Sequence, residues 1–142
     1  MKIAIGADKD GFKLKELIKK IVIGEGHEVL DVTTEPADDF VDSSLAVAKA
    51  ILSKQADRGI MLDRYGVGSY MASNKLKGMI TANVSDEYSA RMTFNHNDAR
   101  AIAIGVDIVG EALAISIVTS YINSHYAGGR HQVRVDMLDK ML

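Results

Sequence analysis

The 142 residues predict an α/β protein, a three-layer α/β/α Rossmann-like sandwich around a five-stranded parallel sheet. Three observations carry that prediction. Short apolar runs alternate with longer stretches of helical spacing in a βαβαβαβαβα rhythm. The short runs are apolar along their length, as strands covered on both faces must be. Turns rich in glycine, acidic residues or hydroxyls separate the two kinds of segment.

Lys2-Ile3-Ala4-Ile5-Gly6 forms the first expected strand. Lys13 to Gly24 follows as a helix, with Leu14, Leu17, Ile18 and Ile21 at helical spacing. Gly24 and Gly26 suit its C-terminus. Glu28 to Val32 is the second strand. The stretch "TTEPADD", which holds the single proline, Pro36, is a loop. Ser43 to Lys54 is helical, with Leu45, Ala48, Ile51 and Leu52 as its apolar stripe and Asp42 or Ser43 as cap. Gly59 to Leu62 is the third strand, and a helix begins near Ser69. Met79 to Val84 is the fourth strand. "SDEYSARM" opens the next helix, with Ser85-Asp86 as caps and acidic charge at the positive end of its dipole. Ala101 to Ile104 is the fifth strand; helices over Glu111 to Ser124 and Gln132 to Leu142 complete the chain.

Composition narrows the function classes. Apolar residues make up 47% and charged residues 25%, which suits one globular domain spanning 1–142. A net charge of -2 gives no reason to expect nucleic acid or an anionic membrane as a partner. No apolar run approaches the roughly 20 residues of a membrane span. The N-terminal apolar stretch is too short for a signal peptide, so a cytoplasmic location is expected. With no cysteine, the chain has no disulfide, no cysteine-ligated zinc and no thiolate nucleophile of its own.

In a parallel sheet, ligands bind outside the carboxyl ends of the strands, so chemistry is sought there. Asp8 and Lys9 follow the first strand; Asp8 serves either a ligand or a helix cap. After the third strand comes "DRYGVG", Asp63 to Gly68. Its glycines let backbone N–H groups converge on an anion, or merely permit a tight turn. Asp63, Arg64 and Tyr65 are bulky and charged for such a loop, and Arg64 stands ready to pair with its neighbour Asp63. In "FNHNDAR", His96 sits with Asn95, Asn97 and Asp98. His96 is either a proton-exchanging group or a helix-end surface residue. His27 and His125 lack such company and read as structural. In "AGGRHQVR", Arg130 and Arg134 lie four apart after a flexible Gly128-Gly129 approach. On a helix they share a face, either to grip a phosphate between them or as two solvated arginines.

Together these segments resemble the RpiB/LacAB family of sugar-phosphate isomerases, almost end to end. "IGADKDGFKLK" is similar to the family's opening motif. "GVGSYMASNKLKGMITANVSDEYSARMTFNHNDAR" is similar to its longest signature, and "GGRHQVRV" to its phosphate clamp. The resemblance implies an enediol-type proton shift between adjacent carbons, without metal or organic cofactor. It implies a cysteine base after the third strand, a glycine loop for the oxyanion, a ring-opening histidine and paired arginines. It also implies a site shared between subunits.

This sequence departs from the family at the loop. The family's C-G-T-G-x-G is here Asp63-Arg64-Tyr65-Gly66-Val67-Gly68, its histidine after the first aspartate is Lys9, and its arginine before "VVG" is Asp107. The other half is kept. By resemblance, His96 is the catalytic acid–base group, Asn97 binds sugar hydroxyls, and Arg130 and Arg134 bind phosphate. The expected partner is a LacB-type paralogous subunit that retains the cysteine, and the expected substrate is a phosphorylated hexose. Three other readings stay open: a self-sufficient homodimer with Asp63 as base, a non-catalytic sugar-phosphate-binding subunit, and a receiver-like phosphoacceptor.

Overall fold

A computed structural model describes all residues from Met1 to Leu142. Five strands, β1 (Lys2–Ala7), β2 (Glu28–Asp31), β3 (Arg58–Asp63), β4 (Thr81–Asn83) and β5 (Ala101–Gly105), form one sheet in the order β2-β1-β3-β5-β4. Every neighbouring pair is parallel. Between them run α1 (Phe12–Gly24), α2 (Phe40–Leu52), α3 (Val67–Ser73) and α4 (Glu87–Asn97). After β5 come α5 (Glu111–Ile122), a 3₁₀ turn (Gly129–His131) and α6 (Gln132–Asp139). No helix is long and apolar enough to cross a membrane.

The strands are apolar on both faces but not equally bulky. Ile3, Ile5, Ile60, Leu62, Ile102 and Ile104 point to one side, where they pack with side chains of α1, α4 and α5 such as Ile18, Phe94 and Ile117. Ala4, Met61, Ala101 and Ala103 point to the other, against Val47, Ala48 and Ile51 of α2. The small face lets α2 lie close. A Cβ on Gly59 would stand 2.5 Å from Val47 Cγ1, so a side chain there would push the helix away. Truncating a fully buried isoleucine such as Ile104 to alanine would cost about 2–5 kcal/mol.

Local chemistry fixes the helix starts. Asp86 accepts from Ser89 N at 2.7 Å and caps α4; that bond holds its carboxyl below the ordinary aspartate value. At α2 the cap is Asp39, which accepts from Asp42 N at 2.9 Å. That cap starts the helix three residues before the expected Ser43; Phe40 and Val41 are exposed and so add nothing to the apolar stripe that marks it in the sequence. β4 is shorter than the expected Met79–Val84. Asn74 explains its start: its amide accepts from Thr81 N and donates to Thr81 O, each at 2.9 Å, doing the work of a strand partner. The two edges of the sheet differ in what they carry, and that difference shapes the site.

Candidate active site

At the carboxyl edge, β2 and β3 lie on opposite sides of β1, so the loops leaving β1 and β3 diverge and open a crevice. Its volume is about 390 Å³, and Asp8, Asp10, Phe40, Asp63, Tyr65 and Met71 are among its walls. The crevice is where sequence reasoning looked for a ligand. Asp8, only 7% exposed, does not cap α1. Its Oδ1 accepts from Gly11 N at 3.0 Å, and Gly11 is the cap residue, without a side-chain bond. Burial pushes the Asp8 carboxyl up, and the charges of Asp10 and Asp63 add to that against the opposing Gly11 bond.

The loop after β3 has the expected geometry but is already filled. Gly66 takes φ +80°, and a Cβ there would meet Asn83 Nδ2 at 2.4 Å, so only glycine makes this turn. The converging donors point at Asp63. Its Oδ1 accepts from the N–H groups of Tyr65, at 3.1 Å, and Gly66. Its Oδ2 accepts from Ser69 N at 2.9 Å and from Ser69 Oγ at 2.6 Å. A carboxylate offers about four acceptor directions, and four donors use them. Asp63, 3% exposed, is thus the loop's own internal anion.

Arg64 does not pair with Asp63 as expected. Asp63 is taken up by the loop's own donors, and Arg64 Nε donates instead to Asp107 Oδ2 at 2.8 Å. Asp107 N also donates to Arg64 O at 3.0 Å, so backbone and side chain together fasten the β3–α3 loop to the β5–α5 loop. The Asp107 hydrogen bond holds the exposed guanidinium more firmly protonated than usual. A carboxylate at 107 offers nothing to a phosphate on this side.

The other candidate residues lie at the opposite, amino edge. In a parallel sheet the helices run back against the strands, so α4 ends where β5 begins. His96 sits in the last turn of α4, Asn97 is its final residue, and Asp98 takes the left-handed φ of 51° that stops it. Asn95 ties the chain after α5 to this end: its Nδ2 donates to His125 O at 2.8 Å, and its carbonyl accepts from Ala127 N at 2.9 Å. Gly128 and Gly129 follow with φ of 62° and 53°, a specific left-handed corner rather than a loose approach. The corner brings the 3₁₀ turn back over α4.

What it delivers is His131, which sequence reasoning passed over. Its ring stacks on that of His96, with centroids 4.2 Å apart and planes at 14°. Loss of water, then the charges of His96, Arg130 and Arg134, hold His131 below the ordinary histidine value. Arg130 adjoins His131 in the 3₁₀ turn, and Arg134 follows one turn later in α6. The chain's ion pairs fall elsewhere, on Lys2, Lys15, Lys19 and Arg64; neither Arg130 nor Arg134 has an acidic partner. Asn97, Arg130 and Arg134 are exposed. The only sequence signal for His131 was its place between the two arginines. Of the other histidines, His27 Nδ1 lies 3.2 Å from the N-terminal amine, and His125 contributes its carbonyl to the Asn95 clamp.

The six residues of β3 separate the two edges by roughly 20 Å. A general base must come within about 3 Å of its proton. Asp63 and His96 of one chain therefore cannot act on one small substrate. The carboxyl-edge crevice has its anion loop plugged, and the amino-edge cluster has free cationic groups and imidazoles with no base opposite.

Residues 3–138 match the Ribose/Galactose Isomerase family. Over its full length the chain is 54% identical to the whole of the galactose-6-phosphate isomerase subunit LacA of Clostridium acetobutylicum. The corresponding subunit of Streptococcus equi subsp. equi is 53% identical over 141 residues, 99% of each chain. Among solved structures, ribose-5-phosphate isomerase B of Clostridium thermocellum superposes with a TM-score of 0.94 at 39% identity, covering 99% of this chain and 96% of that one. At such identity and coverage, the chain belongs to the Ribose/Galactose Isomerase family of sugar-phosphate isomerases.

Proposed function

We propose that this chain is the LacA-type subunit of a galactose-6-phosphate isomerase, active with a LacB-type paralogue. The substrates are D-galactose 6-phosphate and D-tagatose 6-phosphate, as the names of the LacA relatives suggest. One observation carries the reading: the chain's imidazoles and unpaired arginines stand on the opposite sheet edge from a loop whose donors are spent on Asp63. A substrate between two such chains would find phosphate and proton donors but no base and no oxyanion hole. A partner with a cysteine in that loop supplies both.

In this reading Arg130 and Arg134 grip the phosphate by charge-assisted bonds. His96 passes a proton to the ring oxygen as the hemiacetal opens and takes one from the anomeric hydroxyl; His131 packs its ring in place. Asn97 hydrogen-bonds a sugar hydroxyl. The partner's thiolate removes the proton from C2. The electron pair moves into an enediolate whose O1 oxyanion is held by the partner's loop N–H groups; the O2 hydroxyl proton then passes to O1 and the thiol returns its proton to C1, which gives the ketose. Asp63 takes no part, since its acceptor sites are filled.

The test is an isomerase assay on this chain alone, on a cysteine-bearing paralogue alone, and on the two co-expressed. Activity only in the mixture, lost on His96→Ala in this chain, supports the proposal. Full activity of the isolated chain, or a mixture indifferent to His96→Ala, would sink it.

A further inference from the structure

Arg58 is a buried cation with no carboxylate partner. It opens β3 at the amino edge and is 6% exposed. Nη1 donates to Tyr121 O at 2.7 Å and to Ser124 Oγ at 3.3 Å, and Nη2 donates to Ser124 O at 2.8 Å. Its guanidinium carbon lies 3.5 Å from the ring centroid of Phe94. Burying a charge without an ion pair is costly, and an apolar side chain would fill such a site more cheaply. What the guanidinium adds is geometry. Its planar fork holds the carbonyl end of α5, where the helix dipole favours a cation, while its flat face lies on an aromatic ring of the last turn of α4.

Those two elements are the ones that carry the amino-edge cluster. Phe94 precedes His96 by two residues on α4, and Ser124 opens the segment that leads to Arg130 and His131. The Asn95 clamp on residues 125 and 127 is the next rung, and the stacked imidazoles are the one after. Tyr121 braces the same region, its ring edge-on to Phe94 and its hydroxyl donating to Ala99 O at 2.7 Å, but the hydrogen bonds from β3 to residues 121 and 124 come from Arg58.

We infer that Arg58 is a positioning residue for the reaction: it sets the register between α4 and the 124–131 segment, and so the approach of His96 to His131 and the arginines. The inference rests on the proposed isomerase reading for its catalytic meaning, but its geometric content does not. Two stacked rings shift each other's ring-proton NMR resonances upfield. The test compares these resonances in the full chain for wild type, Arg58→Met and, as an equally folded but weakened control, Ile18→Ala in the core of α1. Each chain is also assayed with the cysteine-bearing partner at a temperature where circular dichroism shows it folded.

The expected result is that the upfield shift collapses in Arg58→Met and persists in Ile18→Ala. In the mixed complex, kcat for the phosphorylated hexose should then fall at least tenfold in Arg58→Met and stay within about twofold in Ile18→Ala. Should Arg58→Met fail to fold, Arg58→Lys serves the same comparison, since lysine keeps the charge but has neither fork nor plane. Unchanged imidazole shifts in the folded variant, an equal collapse in Ile18→Ala, or a collapse without loss of kcat would each overturn the inference. A wild-type mixture without isomerase activity would instead count against the proposed function, and the shifts would still decide whether Arg58 sets the register.

Discussion

Replacing Asp63 with asparagine separates a structural anion from a catalytic base. The carboxylate takes two donors on each oxygen, the N–H groups of Tyr65 and Gly66 on Oδ1 and both donors of Ser69 on Oδ2. An amide has one acceptor oxygen. If it serves Tyr65 and Gly66, its NH₂ faces Ser69. The Ser69 hydroxyl can turn and accept, but the Ser69 N–H is then orphaned in a buried site. An unsatisfied buried donor costs about 1–3 kcal/mol, and the charge assistance of the remaining bonds is lost as well. The sum is about 2–4 kcal/mol. For a chain of 142 residues that lowers the melting temperature by about 6–14 °C. Thermal unfolding by circular dichroism reads the shift, and the mixed-complex assay at 25 °C reads turnover, which should stay within about twofold. Lost turnover with an unmoved melting temperature would refute the reasoning, because it would make Asp63 a base rather than a plug.

The amino-edge cluster supports three further expectations. On the proposed phosphate grip, Arg134→Gln should raise KM for the phosphorylated sugar about tenfold to hundredfold in the mixed complex, measured by initial rates. Loss of water, and then the charges of His96, Arg130 and Arg134, hold His131 below its ordinary value, so inorganic phosphate bound at the two arginines should raise it. An NMR titration of the chain should show the His131 midpoint moving up with phosphate, and phosphate binding tightening as pH falls through that range. Partial burial holds Asp98 above the ordinary aspartate value, with Asp139 adding to this and Arg100 and Arg58 opposing it. A raised carboxyl contributes stability below about pH 3.8 that is lost as pH rises through its folded value. Asp98→Asn should therefore raise the melting temperature at pH 7 and not at pH 3, the more so because asparagine tolerates the left-handed φ of 51°.

Much of this molecule is legible in the sequence because burial leaves a plain mark. β1, β3 and β5 are buried at every apolar position, so they read as runs. The altered loop at Asp63, Arg64 and Tyr65 also shows in one dimension, as does the spacing of Arg130 and Arg134. What fails is whatever depends on a partner far along the chain. The start of β4 is made by Asn74, whose amide replaces a strand. Arg64 finds Asp107, 43 residues on, because Asp63 is already engaged. His131 meets His96 only through the Asn95 clamp and the two left-handed glycines. Nor does the sequence reveal that the two half-sites stand on opposite edges of the sheet; that follows from the direction of α4, not from any motif.

A chain without cysteines allows one direct test of a shared reaction centre. With His131→Cys as its only thiol, the chain is mixed with the cysteine-bearing partner and treated with a short fluorogenic bis-alkylating reagent that lights up only on joining two thiols. Rapid labelling that links position 131 to the partner's catalytic cysteine, and that a phosphorylated hexose suppresses, is the predicted result. No link from 131, alongside an efficient one from Asp63→Cys to that same thiol, would contradict it.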